Sequence, residues 1–425
     1  MAAGDTDVQL TARDPAAIDY RAPTPPRAAT RRNDTIANVS NTLRILPMPT
    51  GAAVGEVLPH LREALEGNGP AWLPVPTADR RETQRLSGSL RPGEEIDEDV
   101  ALVVTTSGTT GNPKGAMLTP ANLRASGDAT HERLGGPGQW LLALPTHHIA
   151  GIQVLLRSIL AGTEPTVLDV SGGFLPEALV GAIASMRGER RYTSLVPTQL
   201  IKALDEPAAT DALASLDGVL VGGAATPKPV LERARAAGIT VFRTYGMSET
   251  CGGCVYEGVP LTGTEVRIED GRVLLGGAMV AKGYRNIPDH PAFAEPGWFR
   301  TEDAGHFDNG VLAITGRLDE AIMTGGLLVI PEVVEAVLIT HPSVSECVVL
   351  GLPDERLGQR VATAIVPAPG ATAPTLDELR DHVVAELDAI AAPRELAVLD
   401  ELPLRGPGKP DRAKLRELLL AASPN

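Results

Sequence analysis

Directly after an apolar run, Val100 to Thr105, the chain reads TTSGTTGNPKGAMLT from Thr105 to Thr119. Gly108, Gly111 and Gly115 let backbone amides crowd round an anion, Thr106, Ser107, Thr109 and Thr110 offer hydroxyl donors, and Lys114 adds a point charge. A strand that empties into such a loop is a cradle for a triphosphate. It is not the GK[ST] loop of the P-loop NTPases, because Lys114 stands between Pro113 and Gly115.

Apolar strand-like runs alternate with amphipathic helix patterns over residues 100 to 315, the βαβ rhythm of an α/β domain. Strands are expected at Val100 to Thr105, Trp140 to Leu144, Val219 to Val221, Ile239 to Arg243, Val273 to Leu275 and Val311 to Thr315. Helices are expected through Val54 to Leu65, Leu175 to Met186 and Val230 to Ala237, with a short strand at Ala71 to Val75. After Gly316 the texture changes to a small α+β pattern: helix Glu332 to Leu338, strands Ser345 to Leu350 and Arg360 to Val366, helix Leu376 to Leu387 and a last helix from Arg412. The expectation is a large domain over 43–315, a hinge at 316–320 and a small domain over 321–425. Residues 1–42, rich in Ala, Pro, Arg, Asp and Thr without apolar periodicity, read as a disordered tail.

With 38 basic against 53 acidic residues the net charge is −15, so no general field draws in a nucleic-acid backbone. No apolar run of about 18 residues appears, and Asp5, Asp7, Asp14 and Asp19 stand where a signal peptide is apolar, which excludes stable membrane insertion and implies a cytoplasmic protein. Cys251 and Cys254 form a CxxC, but the remaining cysteine, Cys347, is far along the chain, so buried or incidental thiols are the simpler reading than zinc or redox chemistry.

Further motifs follow the loop in order. They are PTHHIAG (Pro145 to Gly151), the Gly-Gly turn at Gly222 to Ala225, TYGMSET (Thr244 to Thr250), WFRTEDAGHF (Trp298 to Phe307), GRLDEAIMTGG (Gly316 to Gly326) and PLRGPGKPDRAKL (Pro403 to Leu415). Read alone, His147 and His148 would point to opposite faces of a strand and could not easily share a metal. A lone lysine near a C-terminus is ordinarily solvated, and one Asp at a domain boundary is ordinarily a linker carboxylate.

Taken together, Thr106 to Gly115 and the motifs after it resemble the acyl-adenylate-forming enzymes over about residues 43 to 420. That resemblance implies ATP, Mg²⁺ and coenzyme A as small-molecule ligands beside a carboxylic acid substrate, and a mobile C-terminal domain. It assigns the nucleotide to Thr106, Ser107, Gly108, Thr109, Thr110, Gly111, Lys114, Gly223, Ala224, Tyr245, Gly246, Thr250, Asp303 and Arg317. It gives the metal to Glu249, a gating role to His148 and the catalytic ammonium to Lys409, followed by Arg412. Asp319 becomes the hinge, and Gly325 and Gly326 the face toward coenzyme A. Glu302 departs from the family's usual glycine and adds a charge beside the nucleotide.

Within that family, RRYTSLVPTQL (Arg190 to Leu200) and TYGMSETCGGCVYEGVPL (Thr244 to Leu261) most resemble the short actinobacterial o-succinylbenzoate:CoA ligases of menaquinone biosynthesis. Other acyl- or aryl-acid CoA synthetases, carrier-protein-loading acyl-AMP ligases and a non-catalytic nucleotide-binding protein are the alternatives. Because the phosphate loop begins early, the resemblance implies a shortened N-terminal subdomain, with a homodimer as one way to complete the pocket. A second carboxylate on such a substrate calls for a cation, and Arg157, Arg190, Arg191 and Arg243 are available.

Overall fold

The computed structural model describes residues 20–21, 41–106, 113–405 and 409–422. Three sheets build the large part of the chain. The first has the order Glu95–Ile96, Asn41–Met48, Ala71–Pro76, Leu102–Thr106 and Lys114–Leu118. The second has seven strands: Val259–Pro260, Gly252–Tyr256, Val241–Met247, Gly218–Val221, Arg191–Leu195, Gln139–Leu142 and Thr166–Val167. Its middle is parallel, as helical crossovers require, and its Val241–Met247 side ends in antiparallel hairpins. The third is antiparallel and runs Tyr20–Arg21, Thr264–Glu269, Arg272–Gly277, Trp298–Asp308 and Val311–Arg317.

The expected α/β class with a smaller C-terminal α+β unit is the architecture found. Strands Val344–Asp354 and Gly358–Pro367 form its hairpin, packed by helices Pro331–Leu338 and Arg412–Ala422. Of the expected tail, the described parts are Tyr20–Arg21, an edge strand on Val266 and Glu265, and Asn41–Thr42, which already belong to a long strand. The helix expected through Val54 to Leu65 divides into a 3-10 turn, Gly51–Val57, and an α-helix, Leu58–Glu66, whose second residue is Pro59.

Two differences shape the site. The segment after the glycine loop returns as strand Lys114–Leu118, antiparallel to Leu102–Thr106, with Lys114 opposite Thr106. The sequence reading missed this returning strand because glycine and proline obscure the short alternation of buried Ala116 and Leu118. The strand expected at Ile239 to Arg243 instead begins at Val241 and runs to Met247, because hairpin pairing with Gly252–Tyr256 extends it through the motif.

The helix Ile149–Leu160 is buried on nearly every side, packing against helix Pro120–Arg133, strand Gln139–Leu142 and strand Gly252–Tyr256. Trp140, Tyr192 and Tyr256 are fully buried around it. Among the described residues no helix is long and apolar enough to cross a membrane.

Strand Val241–Met247 changes register between Tyr245 and Gly246, and Gly246 has φ +155°. A Cβ there would lie 2.1 Å from the Gly252 carbonyl oxygen, a backbone atom that has no side-chain freedom with which to yield. Gly246→Ala is expected to lower the thermal unfolding midpoint by several degrees and to disturb Tyr245 next door. An unchanged midpoint in a calorimetric scan would contradict this packing.

Candidate adenylate site

Tyr245, near the C-terminal end of strand Val241–Met247, donates its hydroxyl to Asp303 Oδ2 at 2.6 Å, joining the seven-stranded sheet to strand Trp298–Asp308. The other carboxylate oxygen accepts from Arg317 Nη1 at 3.1 Å. Arg317 then grips Asp319 with two bonds, Nε to Oδ1 and Nη2 to Oδ2, each 2.9 Å. Burial raises the Asp303 carboxyl above its usual range, against the opposing pull of Tyr245 and Arg317. Four of the expected residues thus form one chain: Tyr245, Asp303, Arg317 and Asp319.

The second group surrounds Glu249. The turn Ser248–Thr250 buries its side chain, and Tyr284 donates to Oε1 at 2.5 Å. Burial raises the Glu249 carboxyl above its usual range, against the lowering pull of the Tyr284 hydrogen bond and, less, of Lys114 and Arg317. Lys114 Nζ lies 5.1 Å from the Tyr284 ring centroid and 3.3 Å from His290 Nε2. Ser248 donates to the Thr105 carbonyl, fastening this turn to the strand that enters the loop.

Thr250 is buried, and its hydroxyl accepts from the Met247 amide at 3.0 Å and contacts the Gly252 carbonyl at 2.9 Å, so it closes the turn. Gly223 and Ala224 are exposed after strand Gly218–Val221. Ser107, Gly108, Thr109, Thr110 and Gly111 lie outside the described residues, as does the side chain of Lys409, whose backbone pairs with Arg405. Gly325 and Gly326, at φ +58° and +80°, form the two-residue turn between Ile322–Thr324 and Leu327–Val329, a backbone shape that itself favours glycine.

One expectation needs correction. His147 and His148 lie in a turn before helix Ile149–Leu160, not on a strand, and their rings are tilted by 43° with centroids 4.1 Å apart. Burial holds His147 down at about 4, with further lowering from His148, and no group of three metal-ligating side chains occurs among the described residues. Glu302 is exposed and pairs with Arg272 at 2.6 Å, so its charge has its own counter-ion, although Tyr284 and His290 still feel it. Arg412 is also more than a downstream residue: it bonds Glu320, Glu335 and the Val349 carbonyl, tying the last helix to the segment after Asp319.

Sequence reasoning missed Tyr284 and Asn286. Asn286 donates to the Pro113 carbonyl at 2.9 Å and accepts from the Gly115 amide at 3.2 Å, while Arg285 N–H bonds the Gly115 carbonyl, so residues 282–286 clamp the returning strand of the loop. The available signal was Tyr284 itself, one of five tyrosines in a chain poor in aromatics.

A buried polar group lies on helix Ile149–Leu160. Of the four arginines offered by sequence, only Arg157 is buried, at 3% exposure. Its Nη2 lies 3.4 Å from the Tyr256 hydroxyl and its guanidinium 5.1 Å from the Trp140 ring centroid, yet Nε has no partner. Gln153, one turn earlier and 1% exposed, has neither amide atom bonded, and its Cγ is 3.5 Å from where a Gly252 Cβ would sit. Burying these groups without partners is costly.

With this geometry in place, the class of the protein follows from comparison. The model of the AMP-binding enzyme family matches residues 42–285 and that of the AMP-binding enzyme C-terminal domain matches 333–409; the chain belongs to this family. It is 58% identical to the probable 2-succinylbenzoate–CoA ligase of Mycobacterium tuberculosis over 377 residues, 88% of this chain and 97% of that protein. It is 31% identical to the 2-succinylbenzoate–CoA ligase of Geobacillus sp., covering 80% of this chain and 77% of that one. Among solved structures, the Bacillus subtilis o-succinylbenzoate CoA synthetase in complex with its acyl-adenylate intermediate matches with a TM-score of 0.69 at 28% identity, over 88% of each chain.

The imidazole of His131, which accepts from Trp140 Nε1 at 3.4 Å, is held down at about 4 by burial and by Arg157, against 6.5 in the unfolded chain. Folded protein therefore binds fewer protons than unfolded protein between these values. The contribution to stability is complete above pH 6.5 and drains as pH falls toward 4. The thermal midpoint should fall across that window, and less steeply in His131→Gln, which retains an acceptor for Trp140. Identical slopes in the two proteins would contradict the assignment.

Proposed function

We propose that the chain is an ATP-dependent 2-succinylbenzoate–CoA ligase. In the first half-reaction a substrate carboxylate oxygen attacks the α-phosphorus of ATP. The bond from that phosphorus to the bridging oxygen of the β-phosphate breaks, and pyrophosphate leaves an acyl-adenylate. In the second, the thiol sulfur of coenzyme A attacks the acyl carbon and AMP departs.

Asp303 accepts the ribose hydroxyls in exchange for its present bonds to Tyr245 and Arg317, and Tyr245 lies along the adenine. Lys114 meets the outer phosphates. Lys409 brings its ammonium between two anions that would otherwise repel each other. Release of the Arg317–Asp319 grip lets the small domain turn and carry Lys409 away before the thiol enters, with Gly325 and Gly326 facing the incoming coenzyme. Glu249 is a buried carboxylate beside Lys114 and a tyrosine hydroxyl, a donor suited to a hard cation. It would hold Mg²⁺, which neutralises polyphosphate charge when bound.

The observation that carries the substrate assignment is Arg157, a buried guanidinium with an unbonded Nε beside the unbonded Gln153. 2-Succinylbenzoate has two carboxylates; one is adenylated and the other meets Arg157. A purely aliphatic acid gives such a cation nothing to bind. Arg157→Ala should raise the KM for succinylbenzoate about 10- to 100-fold, the scale of a lost charge-assisted bond, and leave the KM for ATP within about threefold. Pyrophosphate release with succinylbenzoate, benzoate and a medium-chain fatty acid reads this. An Arg157→Ala protein with unchanged succinylbenzoate KM would overturn the assignment.

A further inference from the structure

His290 lies in none of the motifs above and follows the clamp segment 282–286. Its Nδ1 accepts the Ala292 amide at 3.2 Å, capping the short turn Pro291–Phe293. An amide N–H can only donate, so Nδ1 carries no proton and a neutral imidazole must carry its proton on Nε2. Burial and Lys114 both favour the neutral ring.

That Nε2 lies 3.3 Å from Lys114 Nζ, an ammonium with three donors and no acceptor. Two donors are therefore aimed at one place, and among the described residues no carboxylate forms an ion pair with Lys114. The arrangement is held from two further sides. The Tyr284 ring stands edge-on to the imidazole, with centroids 4.9 Å apart, and also lies under Lys114, while its hydroxyl is fixed on Glu249. Asn286 anchors the same segment to Pro113 and Gly115, on either side of Lys114.

Two convergent donors with no acceptor between them make an anion site. We infer that His290 Nε2–H and Lys114 Nζ jointly hold the β- and γ-phosphates of ATP and then the departing pyrophosphate, making His290 a polyphosphate-binding residue. This rests on the reading that the phosphates of ATP lie at Lys114. It restricts the role of His290 to adenylation, since an acyl-adenylate has neither the β- nor the γ-phosphate.

His290→Asn separates cap from donor, because asparagine can still accept from the Ala292 amide and has nothing at the Nε2 position. In the full chain it should raise the KM for ATP and the Ki for pyrophosphate about tenfold, the scale of one hydrogen bond to a charged group. Thioester formation from pre-made succinylbenzoyl-adenylate and coenzyme A should change less than about twofold by the same reasoning. His290→Gln, whose amide nitrogen reaches toward the lost donor, should recover part of the affinity. Unchanged KM and Ki, or equal loss in both half-reactions, would overturn the inference.

Should the Asn variant fail to fold, inorganic pyrophosphate titrated into the wild-type protein gives an independent reading: the imidazole Nε2–H NMR signal of His290 should shift at saturation, and an unmoved signal would overturn the proposal. Wild-type protein inactive with succinylbenzoate would count against the substrate assignment alone, because the pyrophosphate titration needs no acid.

Discussion

The hydrogen bond from Tyr245 to Asp303 is the joint on which the site depends. It ties the seven-stranded sheet to the antiparallel sheet, and through Arg317 it reaches Asp319 at the border of the small domain. A buried carboxylate needs partners, and those of Asp303 are the Tyr245 hydroxyl and the Arg317 guanidinium. A ribose that takes both oxygens of Asp303 must loosen Tyr245 and Arg317, and Arg317 is the residue that grips Asp319. In the proposed mechanism, nucleotide binding and freedom of the small domain would be coupled through this one guanidinium. Arg412 extends the coupling by binding Glu320 on one side and Glu335 on the other.

The second constraint is charge. A chain with net charge −15 must concentrate its positive groups to admit ATP and a dicarboxylate. Lys114 is set beside His290 at the loop, and Arg157 is buried beneath strand Gly252–Tyr256. Glu302, the acidic residue that looked least compatible with a nucleotide, has Arg272 as its counter-ion.

The sequence made legible what depends on local pattern. The apolar runs located most strands within a few residues, and the contiguous motifs contain Tyr245, Asp303, Arg317 and Asp319, which the fold joins in one hydrogen-bonded chain. What it hid depends on packing between distant segments. Strand Lys114–Leu118 was lost because its glycine breaks the alternation and its partner supplies the register. Asn286 bonds Pro113, 173 residues earlier in the chain, and Tyr284 lies against Lys114 beside it, a distance no periodicity reveals. Arg157 was visible as one of four arginines, but its helix is buried on nearly every side, so only the fold distinguishes it. His147 and His148 were put on a strand because of the run before them, whereas the chain turns there to start a helix.

The central claim is a two-step ligation whose acid is chosen by a buried guanidinium. It is tested most directly by mass spectrometry of coenzyme A thioesters formed with ATP and Mg²⁺ from an equimolar mixture of 2-succinylbenzoate, benzoate and a medium-chain fatty acid. The account predicts succinylbenzoyl-CoA as the dominant product. A dominant benzoyl or fatty acyl thioester, or none from succinylbenzoate, would contradict it.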